Sequence, residues 1–234
     1  MYHSITLGTK NTWNDWHLIP KTRPVVNPPS LKLNYIDIPG RDGGFDMSAA
    51  LSGRALYNNR QGSWEFIVEN GFRDWSTLYS EIMTYLSGQR MTAVLEDDPN
   101  YYYEGRFSVN GWNSDRNYSL ITIDYVVSPY KRDINDLGGN WIWDTFNFET
   151  GVDYFYRNVT IKGTQTVTVM AGSMSTTPII IASEAGLSVT FKGVSYNLIK
   201  GPNTMRNIAF TKGANDLIFK GTGVVSIEYI GGSL

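Results

Sequence analysis

Phe72-Arg73-Asp74-Trp75-Ser76-Thr77-Leu78-Tyr79-Ser80-Glu81-Ile82-Met83-Thr84-Tyr85-Leu86-Ser87-Gly88 is the stretch on which the reading of the fold turns. Trp75, Leu78, Tyr79, Ile82, Met83 and Leu86 recur at helical spacing and share one face. Ser76, Thr77, Ser80, Glu81, Thr84 and Ser87 take the other. Asp74 stands where a carboxylate accepts from free first-turn amides, and Gly88 where a left-handed residue stops a helix at least cost. The spacing predicts a helix over about residues 74–87. No other window carries this pattern, so the chain reads as mainly β with a single helix. An amphipathic helix of about four turns is marginal alone in water. Its apolar face is expected to plug a sheet.

Strand patterns surround the helix. Residues 64–69 precede it; 90–96, 101–109 and 118–127 follow. Turn chemistry at Asp97-Asp98-Pro99-Asn100 and across 110–117 implies two hairpins. Further upstream, Trp13, Trp16, Pro20, Pro24, Pro28 and Pro29 mark an extended arm or edge element, because prolines this dense cannot join a central strand. Residues 30–38 alternate, Leu31, Leu33 and Tyr35 against Lys32 and Asn34, as a half-buried strand does. The pattern is then lost over residues 39–61. That stretch holds turn residues together with Phe45, Met47, Leu51, Leu56 and Tyr57, too apolar for a solvated loop. A connection this long has two readings, a loop folded over its own sheet or a contact with another chain. The residues leave both open.

Residues 136–140 are turn-rich, which places a boundary between an N-terminal α+β domain, 1–135, and a second domain, 136–234. Beyond the boundary come short β segments at 158–162, 166–170, 178–183, 187–192, 194–199, 208–210, 216–220 and 224–230. Roughly eight short strands without a helical period predict an antiparallel β-sandwich or jelly roll.

Composition narrows the function. A net charge of −2 over 234 residues and a pI near 5.7 oppose a grip on nucleic acid, which needs an excess of Lys and Arg. The absence of cysteine removes disulfides, zinc thiolate sites and Cys nucleophiles. No apolar run reaches spanning length, and the N-terminus lacks the apolar core of a signal peptide. The expectation is a soluble protein made in the cytoplasm, with no membrane partner.

Candidate chemistry is sparse. Asp97 and Asp98 with Glu104 suggest the paired carboxylates of a glycoside hydrolase, but Asp-Asp-Pro-Asn is also an ordinary turn, and nothing supplies an apolar pocket to separate two pKa values. His3 and His17 are the only imidazoles, and neither has metal-ligand spacing. Asp37, Asp42 and Asp46 do not fit an alternating calcium loop. Gly40-Arg41-Asp42-Gly43-Gly44 precedes no helix and so lacks the frame of a phosphate cradle. The expectation is no catalytic residue, no cofactor and no metal. Trp141, Trp143, Phe146, Phe148, Tyr154, Phe155 and Tyr156 cluster where the second domain begins. Of these Trp141, Trp143, Tyr154 and Tyr156 are the candidates for stacking on sugar or a partner. Burial at the junction or in the core is the reading set against it.

Four motifs in order resemble the phage distal tail protein family of long, non-contractile tails. They are Trp13-Asn14-Asp15-Trp16-His17-Leu18-Ile19-Pro20 with Pro24 and Pro28-Pro29; Ile36-Asp37-Ile38-Pro39-Gly40-Arg41-Asp42-Gly43 with Asp46, Leu51, Tyr57 and Arg60; Asp97-Asp98-Pro99 leading into Tyr101-Tyr102-Tyr103-Glu104-Gly105-Arg106; and Ser128-Pro129-Tyr130-Lys131. They cover about residues 13–131; beyond 140 the likeness rests on the sandwich pattern alone. The resemblance implies a non-enzymatic structural hub at the tail tip of the virion. There the N-terminal domain forms a homo-hexameric ring and a projecting belt embraces the neighbouring subunit. By position, residues 39–61 would be that belt, with Phe45, Met47, Leu51, Leu56 and Tyr57 at the interface. The ring would join the tail tube protein to the tail-tip fibre protein and receptor-binding components, and DNA would pass through its lumen without specific binding. The second domain would be a galectin-like or carbohydrate-module-like sandwich on the outside. A glycan-binding or cell-wall-binding module without ring assembly is the alternative, and a β-rich glycosidase the third reading.

Overall fold

A computed structural model describes residues 2–50, 52–68, 74–114, 118–134, 155–172 and 174–234. It divides into two units, Met1–Lys131 and Arg132–Leu234. Leu51, Trp141, Trp143, Phe146, Phe148, Tyr154 and the expected boundary at 136–140 lie outside the described residues.

The first unit contains β1 (Ile5–Leu7), β2 (Lys10–Asn11), β3 (Leu18–Pro20), β4 (Tyr35–Ile36), β5 (Phe45–Asp46), β6 (Arg60–Val68), α1 (Trp75–Leu86), β7 (Arg90–Leu95), β8 (Tyr101–Ser114) and β9 (Ser119–Val127). A two-residue strand, β10 (Arg132–Asp133), follows at the start of the second unit. An antiparallel sheet runs in the order β2-β1-β7-β8-β9-β6-β3. The helix forms as expected: Asp74 accepts from the Thr77 amide at 3.2 Å, and Gly88 takes a φ of +77°. Leu78, Ile82 and Leu86 are buried against Phe66, Phe107, Ile121 and Ile123 of the sheet. Met83 departs from the reading, because it stands at the margin of the apolar face and remains exposed.

The prolines mislead about the N-terminus. β1 lies inside the sheet between β2 and β7, and Ile5, Leu7, Trp16 and Leu18 are fully buried. The prolines fall only on the edge strand β3 and after it, where a missing N–H costs no ladder bond. The second hairpin also differs. β8 continues through Asn110 to Ser114, with a bulge between Val109 and Gly111. The polar residues 110–114 are strand that leaves the core, and polarity alone does not tell that from a turn.

In the second unit β11 (Phe155–Ala171), β12 (Ile179–Ala182), β13 (Ser188–Phe191), β14 (Val194–Asn197), β15 (Gly201–Thr204) and β16 (Gly213–Glu228) form an antiparallel arrangement in the order β14-β13-β16-β12-β15, with β11 on β16. Two pairs of predicted short strands are thus single long ones. Gly163 faces Gly221 in the β11–β16 ladder, at φ values of +74° and +121° that L side chains rarely adopt. The ribbon bends there without ending. On its other edge β16 pairs first with β13 through residues 218–220, then with β12 through 225–228. Leu217 and Phe219 before the bend share a core with Val225 and Ile227 after it. Residues 208–210, read as a strand, contribute only an isolated bridge from Phe210 to Thr176. The whole is a mainly β, two-domain fold, an α+β unit followed by an antiparallel sandwich.

Candidate assembly arm

Between β3 and β6 the chain leaves the sheet and returns. Its departure is clamped. Trp64 Nε1 donates to the Val25 carbonyl at 2.9 Å, and the Asn27 amide donates to Tyr125 Oη at 3.0 Å. Arg60, buried and lying over the Tyr103 ring, donates to the carbonyls of Asn27 at 3.2 Å and Pro129 at 2.8 Å. Gly62 makes the approach feasible: a Cβ there would stand 2.5 Å from Tyr125 Oη and 2.6 Å from Asn27 Nδ2.

Past this root the two limbs pair with each other. The Asn58 amide donates to Ser30 O and the Lys32 amide to Leu56 O, both at 2.8 Å. The Met47 amide donates to Asn34 O, also at 2.8 Å. Further out Tyr35 pairs with Asp46 and Ile36 with Phe45 in the β4–β5 hairpin. The projecting element therefore spans residues 30–58, earlier than the 39–61 expected at both ends. Arg60 and Gln61 already belong to β6.

The half-buried strand read over residues 30–38 is corrected here. Only Tyr35–Ile36 is strand, and Leu33 and Tyr35 are 60% and 56% exposed. Their alternation belongs to a ribbon whose large apolar side chains are exposed rather than packed on the sheet. Tyr35 and Ile36 point to opposite sides of the hairpin, and both are exposed. Of the residues expected at an interface, Phe45 is exposed, and Met47, Leu56 and Tyr57 are half-buried. Phe45, Met47 and Leu56 join Leu31, Leu33, Ala49, Ala50 and Ala55 around a groove of about 490 Å³. Tyr57 instead meets Tyr130 edge-on, with ring centroids 6.0 Å apart, at the arm's base. Leu31, Leu33, Tyr35, Ile36 and Ile38 were missed as arm residues; the lack of any partner for their alternation was the available signal. An isolated two-stranded hairpin is marginal in water, and each large apolar side chain contributes about 1.5–3 kcal/mol when buried. Such an arm gains stability by lying on another surface.

The other candidates come apart. Asp97 accepts from Arg23 Nε at 2.8 Å and from His3 Nδ1 at 2.9 Å, and these bonds hold its carboxyl below the usual carboxylate range. Asp98 pairs with Lys131 at 2.7 Å and Glu104 with Arg90 at 2.9 Å. Each carboxylate is thus tied to a different cation, and the three do not face one another as a catalytic pair would. Asp46 accepts from the Ser48 amide at 2.8 Å, and no cluster of three metal-ligating side chains occurs among the described residues. Tyr156 packs against the second core and its hydroxyl accepts from the Met170 amide at 3.1 Å. No described helix is long and apolar enough to cross a membrane.

No protein-family model matches the chain, and no curated protein matches it. Among solved structures, the chain is similar to the crystal structure of SPP1 Dit (gp 19.1), described as a paradigm of the hub adsorption apparatus in phages infecting Gram-positive bacteria. The superposition has a TM-score of 0.60 at 12% identity and covers 99% of each chain. The chain shares the fold of that phage tail hub protein over its full length.

Proposed function

We propose that this chain is a non-enzymatic structural subunit of a phage tail tip, a distal tail protein whose copies join through the residue 30–58 arm into a hexameric ring. The arm carries the proposal: a clamped root followed by a hairpin whose apolar side chains lie open on both faces. A surface that meets a different surface on the next copy generates a ring where the rotation closes. Such a ring joins the tail tube to the tip fibre and receptor-binding components, and resides in the virion. The net charge of −2 suits a lumen through which DNA slides without being held. The full-length fold match to a hub protein supports the reading.

The test excises the arm at its own ladder. Lys32 and Leu56 are already hydrogen-bonded, so replacing residues 33–55 by Asn-Gly closes a two-residue hairpin. The excised chain is expected to melt at the temperature of the intact one, and light scattering is expected to give a single-chain mass. The intact chain is expected to exceed 26.3 kDa, increasingly so with concentration. An excised chain that assembles as before, or that fails to fold, contradicts the proposal.

A further inference from the structure

The arm needs a surface to land on, and the first unit offers one at its far end. The bulge between Val109 and Gly111 shifts the phase of β8. Trp112 then stands opposite Ile121, on the helix side of the sheet. There its ring lies 4.9 Å from Tyr79 and 5.2 Å from Trp75, centroid to centroid. Trp75, Tyr79 and Met83 are spaced four apart and form a stripe along the helix flank. Trp112 and Met83 are each 47% exposed. Trp75 and Tyr79 rest on the core beneath. The patch is therefore a fixed aromatic floor with an open upper surface.

Its position carries the argument. Arg60 pairs with Val127 where the arm is rooted, and Val68 pairs with Ser119 at the other end of the same strands. Trp112, opposite Ile121, is two positions from that far end. Arm root and aromatic floor are thus separated by about 20 Å along the sheet, at roughly 3.3 Å per residue. A copy so built has an uncovered apolar projection at one end and an uncovered apolar platform at the other, which is what head-to-tail assembly requires.

We propose that the Trp112–Trp75–Tyr79–Met83 platform receives the apolar arm of a second copy. This rests on the arm being the assembly element, and the experiment separates the two claims. Three full-length variants are compared by light scattering with the intact chain: an arm variant, Leu33→Asp with Phe45→Asp, and two platform variants, Trp112→Glu and Met83→Glu. All four positions are exposed and lie outside the core, so each variant is expected to fold, and melting curves check that it does. Each variant alone is expected to stay a single chain. Mixed in equal amounts, the arm variant and either platform variant are expected to form a one-to-one complex of twice the chain mass and nothing larger, because only one arm and one platform remain intact. Platform variants that assemble like the intact chain, or mixtures that give no complex, overturn the platform and leave the arm standing. An arm variant that still assembles, or an intact chain that stays single, overturns the arm as well. A platform that loses binding on a glycan array with Trp112→Glu, with assembly unchanged, is a sugar site and refutes the proposal.

Discussion

Asp97 shows how far single residues reach across this fold. The sequence marks it as a turn residue, and it is one, between β7 and β8. It also accepts from Arg23 and His3, partners 74 and 94 positions away. No local pattern contains them. The two bonds hold the Asp97 carboxyl below its usual range, Arg23 acting more strongly than His3. A depressed folded-state pKa contributes stability that is present above the unfolded value of about 3.9 and is lost as pH falls through the folded value. Asp97→Asn is therefore expected to melt below the intact protein at pH 7, the gap closing below about pH 4; thermal melts across that range check it. Close approach gives a second prediction. A Cβ on Gly105 would stand 2.2 Å from the Val126 carbonyl oxygen and 2.6 Å from Val127 Cα. These are backbone atoms that cannot swing aside, so Gly105→Ala is expected to lower stability by about 1–3 kcal/mol in denaturant titration.

At the scale of elements, the helix was legible because its signals are local. Cap, period and stop lie within one stretch, and the structure returns α1 with Asp74 and Gly88 in their expected places. Ile82 is fully buried at its centre; Ile82→Ala is expected to cost about 2–5 kcal/mol, read from the urea midpoint. The strands were less legible, for two physical reasons. A glycine inside a strand looks like a glycine in a turn, so β11 and β16 were each divided at Gly163 and near Gly221, where the paired ribbon bends without breaking. Alternation, in turn, reports that a ribbon has an apolar side but not what covers it. Leu31, Leu33 and Tyr35 have the pattern of a strand on a core, yet all three are exposed and none belongs to either core. Trp112 was hidden for a related reason: only the bulge before it turns that side chain toward the helix, and a bulge leaves little trace in one sequence.

At the scale of the molecule, two well-filled cores account for the fold of each unit without the arm. Leu33, Tyr35, Ile36 and Phe45 of the arm are exposed and belong to neither core, which is why excising residues 33–55 is expected to spare the melting temperature and abolish association. The ordered motifs of residues 13–131 resemble the distal tail family, and the full-length match shows the fold of a phage tail hub protein; the ring assembly is the proposal built on both. The direct test is to image the intact protein end-on by electron microscopy. The account predicts closed six-fold rings with an arm bridging every junction between neighbours. Single particles at every concentration, or pairs in which each arm lies on its own body, would contradict it.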